Sequence, residues 1–339
     1  MSEIRLQNMT KRFGDIVAVN DLSIDVNEGE FVVLLGPSGA GKTTTLRLIA
    51  GLEKPDEGQL FIDGEAATDM HPADRDVAFI FQQYSLYPHL TVFGNLAFPL
   101  RSPRRRVSEA DVAARVQAVA QMLHVESKLG NMATQLSGGE MQRVAIGRAL
   151  VRQPKVFLMD EPLSSLDAKL REELRIELKR LHRSIGATIV YVTHDQVEAT
   201  TLADRIGILE HGRIVQVGTP RVVYGNPASL GAAQRLGSPP INLLPPALFH
   251  AGAVPAGTST VAIRPEDIVL HGPDAHDVLN LRVLEYSPLR HLLILERDGT
   301  AIVATTMAER NFTPGQTVGV SLPPRSLLYF RSDGRRIPA

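Results

Sequence analysis

The chain of 339 residues contains no cysteine. Disulfides and thiolate metal sites are therefore excluded, and a reducing compartment suits the protein. Charge of one sign is also missing: 36 Lys and Arg face 37 Asp and Glu, a formal −1 at pH 7. A protein that coats nucleic acid or an anionic membrane through bulk charge carries a basic excess, and this one does not. No apolar run approaches the roughly 18–20 residues that span a bilayer. Met1-Ser2-Glu3-Ile4-Arg5 has no apolar core, so no signal peptide is expected. The expectation is a protein soluble by itself, which must borrow a partner if it works at a membrane. What remains is an ordinary globular composition, 44% hydrophobic and 22% charged, long enough for two domains or one large one.

The most informative stretch is Gly36-Pro37-Ser38-Gly39-Ala40-Gly41-Lys42-Thr43, which fits the phosphate-binding pattern G-x-x-x-x-G-K-[ST]. The run Phe31–Leu35 before it reads as a buried parallel strand, and Thr43 to about Leu52 reads as a helix. That setting has a chemical purpose. Glycines let backbone N–H groups turn toward an anion, and a helix N-terminus adds partial positive charge. Lys42 can reach the outer phosphates, and the Thr43 hydroxyl can ligate Mg²⁺.

Further acids and a histidine lie downstream. Val156-Phe157-Leu158-Met159-Asp160-Glu161 reads as a buried strand ending in two carboxylates. With a phosphate loop upstream, Asp160 is the expected magnesium partner and Glu161 a candidate base for water. Thr188–Val192 is a further buried strand, and its end carries His194 toward the ligand crevice of an open α/β sheet. Ser137 is a candidate N-cap for a helix running to about Val151, and Asp167 for a helix that stops at Gly186. Ser108 opens a third helix, with Val112, Val116, Val119 and Leu123 on one face. Phe13, on the turn Lys11–Gly14, either stacks on adenine or covers a sheet edge. The aromatic loop Gln82–Leu90 either docks a partner or packs locally, and the cluster Arg101, Arg104, Arg105 and Arg106 reads as a solvated loop.

From Asn226 the composition changes. Pro227, Pro239, Pro240, Pro245 and Pro246 mark a linker, and beyond it short β-type runs alternate with Gly and Pro turns. No acid, His or nucleophile cluster accompanies them, so a binding or regulatory module is expected there.

Taken together, the motifs resemble the ATP-binding subunit of ABC transporters. Five occur in that family's order: Gly36–Thr43, the glutamine loop at Gln82, the signature Leu136-Ser137-Gly138-Gly139, the strand with Asp160 and Glu161, and the switch His194; Ser164–Asp167 resembles the D-loop. Within the family, Arg75–Ala78, Phe81–Leu90 and a β-rich extension with Gly237-Ser238-Pro239 and Ile263–Glu266 are similar to the maltose-type carbohydrate importers. There are departures: Glu140 stands where Gln is frequent, Phe13 replaces Trp or Tyr, and the C-terminal domain is shorter.

The resemblance implies an α/β P-loop ATPase of the ABC type over residues 1–235, with a helical subdomain at about 88–155. A small all-β, OB-like or barrel regulatory domain follows over 236–339. It implies that Phe13, Gly36, Ser38, Gly39, Ala40, Gly41, Lys42, Thr43, Thr44, Ser137, Gly138, Gly139 and Asp167 bind ATP. Thr43, Gln82 and Asp160 would hold Mg²⁺, while Glu161, His194 and Gln82 serve hydrolysis. Ser137 and Gly139 would close the site of a second copy, making a two-fold dimer. The implied partners are two membrane-spanning permeases at the cytoplasmic face of the inner membrane and, indirectly, an external solute-binding protein. A soluble ABC-type ATPase acting on nucleic acid or ribosomes is the alternative. Neutral charge, one phosphate loop and no long charged insertion speak against it. A GTP switch lacks its Asn-Lys-x-Asp segment.

Overall fold

The computed structural model describes residues 2–83, 85–102, 107–250, 252–272, 278–306 and 311–338. Tyr84 and Arg104–Arg106 lie outside the described residues. The chain forms two compact units, Met1–Pro220 and Arg221–Ala339.

The first unit is built on two sheets. β1 (Ile4–Phe13), β2 (Ile16–Val26), β4 (Glu57–Ile62) and β5 (Glu65–Ala66) form an antiparallel sheet in the order β2-β1-β4-β5. The other runs β10-β9-β3-β8-β7-β6, from β3 (Phe31–Leu35), β6 (Val77–Ile80), β7 (Val156–Asp160), β8 (Thr188–Thr193), β9 (Arg205–Glu210) and β10 (Arg213–Gly218). All its neighbours are parallel except the β9–β10 edge hairpin. Every residue of β3, β7 and β8 is buried, as expected for parallel strands covered on both faces. Phe13 is the last residue of β1 and pairs with Ile16 across the Gly14-Asp15 turn, so the bend comes two residues later than the sequence suggests.

Helices α1 (Lys42–Ala50), α5 (Ala168–Ile185) and α6 (Gln196–Leu202) connect these strands. The end of α1 is held by buried Arg75, which donates to the Leu48, Ile49, Thr68 and Met70 carbonyls. Three helices form an insertion between β6 and β7: α2 (Val92–Ala97), α3 (Glu109–Met122) and α4 (Gly138–Leu150). They meet at Gly147, where an added Cβ would come within 2.8–3.3 Å of Leu96, Leu123 and Val119.

The second unit opens with two short helices, α7 (Pro220–Gly225) and α8 (Leu230–Arg235). It therefore begins before the expected boundary at residue 235. The reason is packing: Ala233 sits in a small core with Ile241, Ala262, Leu328 and Phe330. Arg264 also lies over the Tyr224 ring and donates to the Tyr224 and Leu236 carbonyls.

Its strands are β11 (Asn242–Leu244), β12 (Thr260–Ile263), β13 (Val269–His271), β14 (Leu279–Ser287), β15 (Leu292–Arg297), β16 (Thr300–Thr305), β17 (Thr317–Ser321), β18 (Leu328–Phe330) and β19 (Arg336–Ile337). They form sheets β11-β12-β18-β19 and β13-β17-β14-β15-β16, sharing a core that includes Val261, Ile263, Leu281, Leu293, Ile302 and Val320.

Candidate functional site

Gly36–Thr43 joins the C-terminal end of β3 to the start of α1. Two glycines are dictated by space. At Gly36 an added Cβ would lie 2.4 Å from the Leu209 carbonyl oxygen, and at Gly41 only 2.2 Å from that of Ala18. Gly41 also has φ +98°, which favours a residue without a Cβ. Ala40 is buried, and its carbonyl accepts from Gly212 N–H at 3.1 Å, while Ser38 and Gly39 are exposed at the rim. Thr44 lies in the first turn of α1, half-buried.

Lys42 is 5% exposed, and its ammonium donates to the Gly36 and Pro37 carbonyls at 2.9 and 3.0 Å. It also lies 3.5 Å from the Glu161 carboxylate. The Thr43 hydroxyl donates to Asp160 at 2.9 Å, across from β7. Burial raises the Asp160 carboxyl above its ordinary range, the Thr43 bond opposes this, and neighbouring Glu161 adds to it. Arg47 and Lys42 also oppose the shift, so burial is its main cause.

Glu161 is held between cation and imidazole: Lys42 on one side, His194 Nδ1 at 3.0 Å on the other. Its backbone has φ +42°, uncommon outside glycine and costing on the order of 1–3 kcal/mol. The conformation is kept by Glu161 N–H donating to the Val192 carbonyl at 3.1 Å and by the Ser164 hydroxyl donating to the Glu161 carbonyl at 2.8 Å. Gln82 reaches the same group, its amide 3.4 Å from the Ser164 hydroxyl. Strands β3, β7 and β8 are neighbours, so their C-terminal ends deliver Lys42, Asp160, Glu161 and His194 to one place.

The sequence pattern of the ABC transporter family matches residues 19–164, and that of the TOBE domain matches residues 261–330. A trehalose/maltose import ATP-binding protein of Thermococcus litoralis is 48% identical over 278 residues, 80% of this chain and 74% of that protein. An sn-glycerol-3-phosphate import ATP-binding protein of Rhizobium johnstonii is 42% identical over 348 residues, 99% of each chain. The chain belongs to the ATP-binding subunits of ABC transporters. Among solved structures, a dimeric ATP-binding cassette in a post-hydrolysis state with ADP and Pi is similar at TM-score 0.58 and 36% identity, covering 64% of this chain and 99% of that one.

In this ABC subunit, the remaining predicted residues sit on other elements. Ser137 caps α4, its hydroxyl accepting from Glu140 N–H at 3.4 Å. Glu140 completes a reciprocal box by accepting from Ser137 N–H at 2.8 Å. That bond, aided by Lys128 at 3.1 Å, holds the Glu140 carboxyl below its ordinary range. Ser137 is exposed and Gly138 half-buried, while Gly139 packs so closely that a Cβ would lie 2.6 Å from Leu170. Asp167 caps α5, accepting from Leu170 N–H at 3.0 Å. Phe13 is 45% exposed, with the Lys11 ammonium 5.3 Å from its ring centre.

Among the described residues, no group of three or more His, Cys, Asp or Glu could hold a metal. The Thr43 hydroxyl and the Asp160 carboxylate are hard oxygen donors, the kind of ligand that Mg²⁺ takes beside phosphates and water. Two residues at this edge escape sequence reading: Asp195 and Glu198. Their D-x-x-E spacing is a helix-start signal, and Asp195 does cap α6, accepting from Val197 and Glu198 N–H.

Proposed function

We propose that this chain is the ATP-hydrolysing motor subunit of an importer for a carbohydrate or related polar solute. It would work as a two-fold dimer at the cytoplasmic face of the inner membrane, beneath two membrane-spanning permeases, with an external solute-binding protein acting indirectly. The observation that carries the ATPase chemistry is the convergence of Thr43–Asp160 and Lys42–Glu161–His194 on one loop. The relatives' import names carry the solute class and the permeases.

In this reading the loop amides and Lys42 cradle the β- and γ-phosphates of ATP. Lys42 then exchanges its carbonyl contacts for phosphate oxygens. Thr43, Asp160 and Gln82 would hold Mg²⁺, which when bound neutralises charge on the phosphates. Glu161 accepts a proton from the attacking water. His194 orients Glu161 and reaches the γ-phosphate. Phe13 stacks on adenine. Gly138 and Gly139, at the open start of α4, offer N–H groups to the nucleotide held by a second copy, with Ser137 beside them, and Asp167 lines the same seam.

Glu161→Gln should retain ATP yet lose steady-state hydrolysis by about 10²–10⁴-fold, since only the proton acceptor goes. Phosphate release and ATP titration on the purified protein read both quantities; near-normal turnover would sink the assignment. Affinity capture of the tagged chain from detergent-solubilised membranes tests the importer reading. Two multi-span subunits are expected, and ribosomes or nucleic acid in their place would favour the alternative.

A further inference from the structure

A ring of contacts starts and ends on Glu161. Its carboxylate meets His194 Nδ1 at 3.0 Å. The next residue, Asp195, places Oδ2 3.7 Å from Arg171 Nη1, on the first turn of α5. The same guanidinium donates through Nε to the Leu163 carbonyl at 3.3 Å, and through Nη2 to those of Ser164 at 3.4 Å and Leu166 at 2.8 Å. Ser164 then closes the ring, its hydroxyl donating to the Glu161 carbonyl at 2.8 Å. One planar fork thus gathers the loop after the acidic strand and faces the residue that follows the histidine. The histidine side is itself rigid: Asp195 N–H donates to the Thr193 hydroxyl, and Thr193 and Tyr191 both donate to buried Glu198.

We propose that Arg171 is a positioning residue that couples the Leu163–Asp167 loop to His194 and so holds Glu161 in its left-handed conformation. The proposal rests on the catalytic reading of Glu161 and His194. The Arg171–Asp195 pair is about a quarter to a third exposed, so its charge attraction adds little by itself. Its value is geometric: loss of the fork frees three carbonyls and uncouples the two loops, and small misplacements at a reacting centre cost rate far more than binding.

The test uses the full chain with Arg171→Met, Arg171→Lys, Asp195→Asn and the double variant Arg171→Met/Asp195→Asn. It reads kcat for ATP hydrolysis and ATP affinity by titration calorimetry. Asn preserves a cap for α6, and Lys preserves the charge without the fork. Arg171→Met should lower kcat on the order of 10–100-fold while ATP affinity stays within about twofold. Arg171→Lys and Asp195→Asn should lower it less, and the double variant should be no slower than Arg171→Met, because both changes break one link. Unchanged kcat in Arg171→Met, a loss of affinity matching the loss of rate, or a double variant slowed by the product of the single effects overturns the proposal. If Arg171→Met fails to fold, unchanged kcat in both Arg171→Lys and Asp195→Asn overturns it. Turnover surviving Glu161→Gln is a different failure: it removes the catalytic reading, and the split between rate and affinity in the Arg171 variants still decides the coupling.

Discussion

Lys42 shows how much one side chain is asked to do. It is almost wholly buried, and its charge is shared among two carbonyls and the Glu161 carboxylate. A buried ammonium with only partial charge compensation is ready to trade those contacts for phosphate oxygens. Lys42→Ala removes that charge without touching the Thr43–Asp160 bond. ATP affinity should fall by about 10–100-fold, the scale of one or two charge-assisted hydrogen bonds. Titration calorimetry with ATP checks this, and an unchanged affinity would count against the phosphate-loop reading. The site was legible in the sequence to the extent that its parts are local. Gly36–Thr43 and Asp160-Glu161 declare themselves by spacing and by the apolar runs before them. Arg171 does not, because it binds backbone carbonyls, and a carbonyl leaves no residue pattern to read.

Elements were legible in proportion to burial and length. β3, β7 and β8 are continuous apolar runs because both faces are covered, and α5 ends where Gly186 takes a left-handed turn. α7, α8, β11 and β19 are short and flanked by proline and glycine. Contacts such as Arg264 on Tyr224 hold α7, and local propensity does not. Helix α6 is a further case, only 7 residues long and anchored by one buried carboxylate. Glu198 accepts from Tyr191 and Thr193 at 2.8 and 2.7 Å, yet burial outweighs those bonds and pushes its carboxyl above the ordinary value of 4.5. A raised acid favours the protonated fold. Its contribution is fully present below 4.5 and lost as pH rises through the elevated value. Glu198→Gln keeps an acceptor and removes the ionisation. The melting temperature of the variant minus that of the natural protein should therefore increase from about pH 4 to pH 7.5, by about 2–4 °C for each 1 kcal/mol in a unit of this size. Thermal melts across that range test it; a constant difference would show that Glu198 ionisation carries no cost.

At the scale of the molecule, two proposals concern copies and units. If Ser137 and Gly139 complete the site of a second copy, Ser137→Arg should block the partner's site and spare its own. Mixing it with a Lys42→Ala subunit should leave one working site per heterodimer. A folded, paired heterodimer without activity would contradict shared sites. The second unit is proposed as a regulatory and dimer-stabilising domain. Every residue assigned to hydrolysis lies before Pro220, where the first compact unit ends, and the second unit has its own core. The proline-marked boundary suggests a cut near residue 225, but such a cut would strand Tyr224 without Arg264 and Glu266. The cut belongs after Pro220, beyond β10, which completes the sheet carrying the phosphate loop. A fragment ending there should melt cooperatively and bind ATP with an affinity close to that of the full chain. With nucleotide present it should dimerise less well, because the second unit no longer tethers the copies. Calorimetry, ATP titration and sedimentation of fragment and full chain side by side decide it. A fragment that is unfolded or cannot bind nucleotide makes the second unit part of the core. A fragment that binds ATP and dimerises as well as the full chain removes the dimer-stabilising role and leaves regulation alone as the work of the all-β unit.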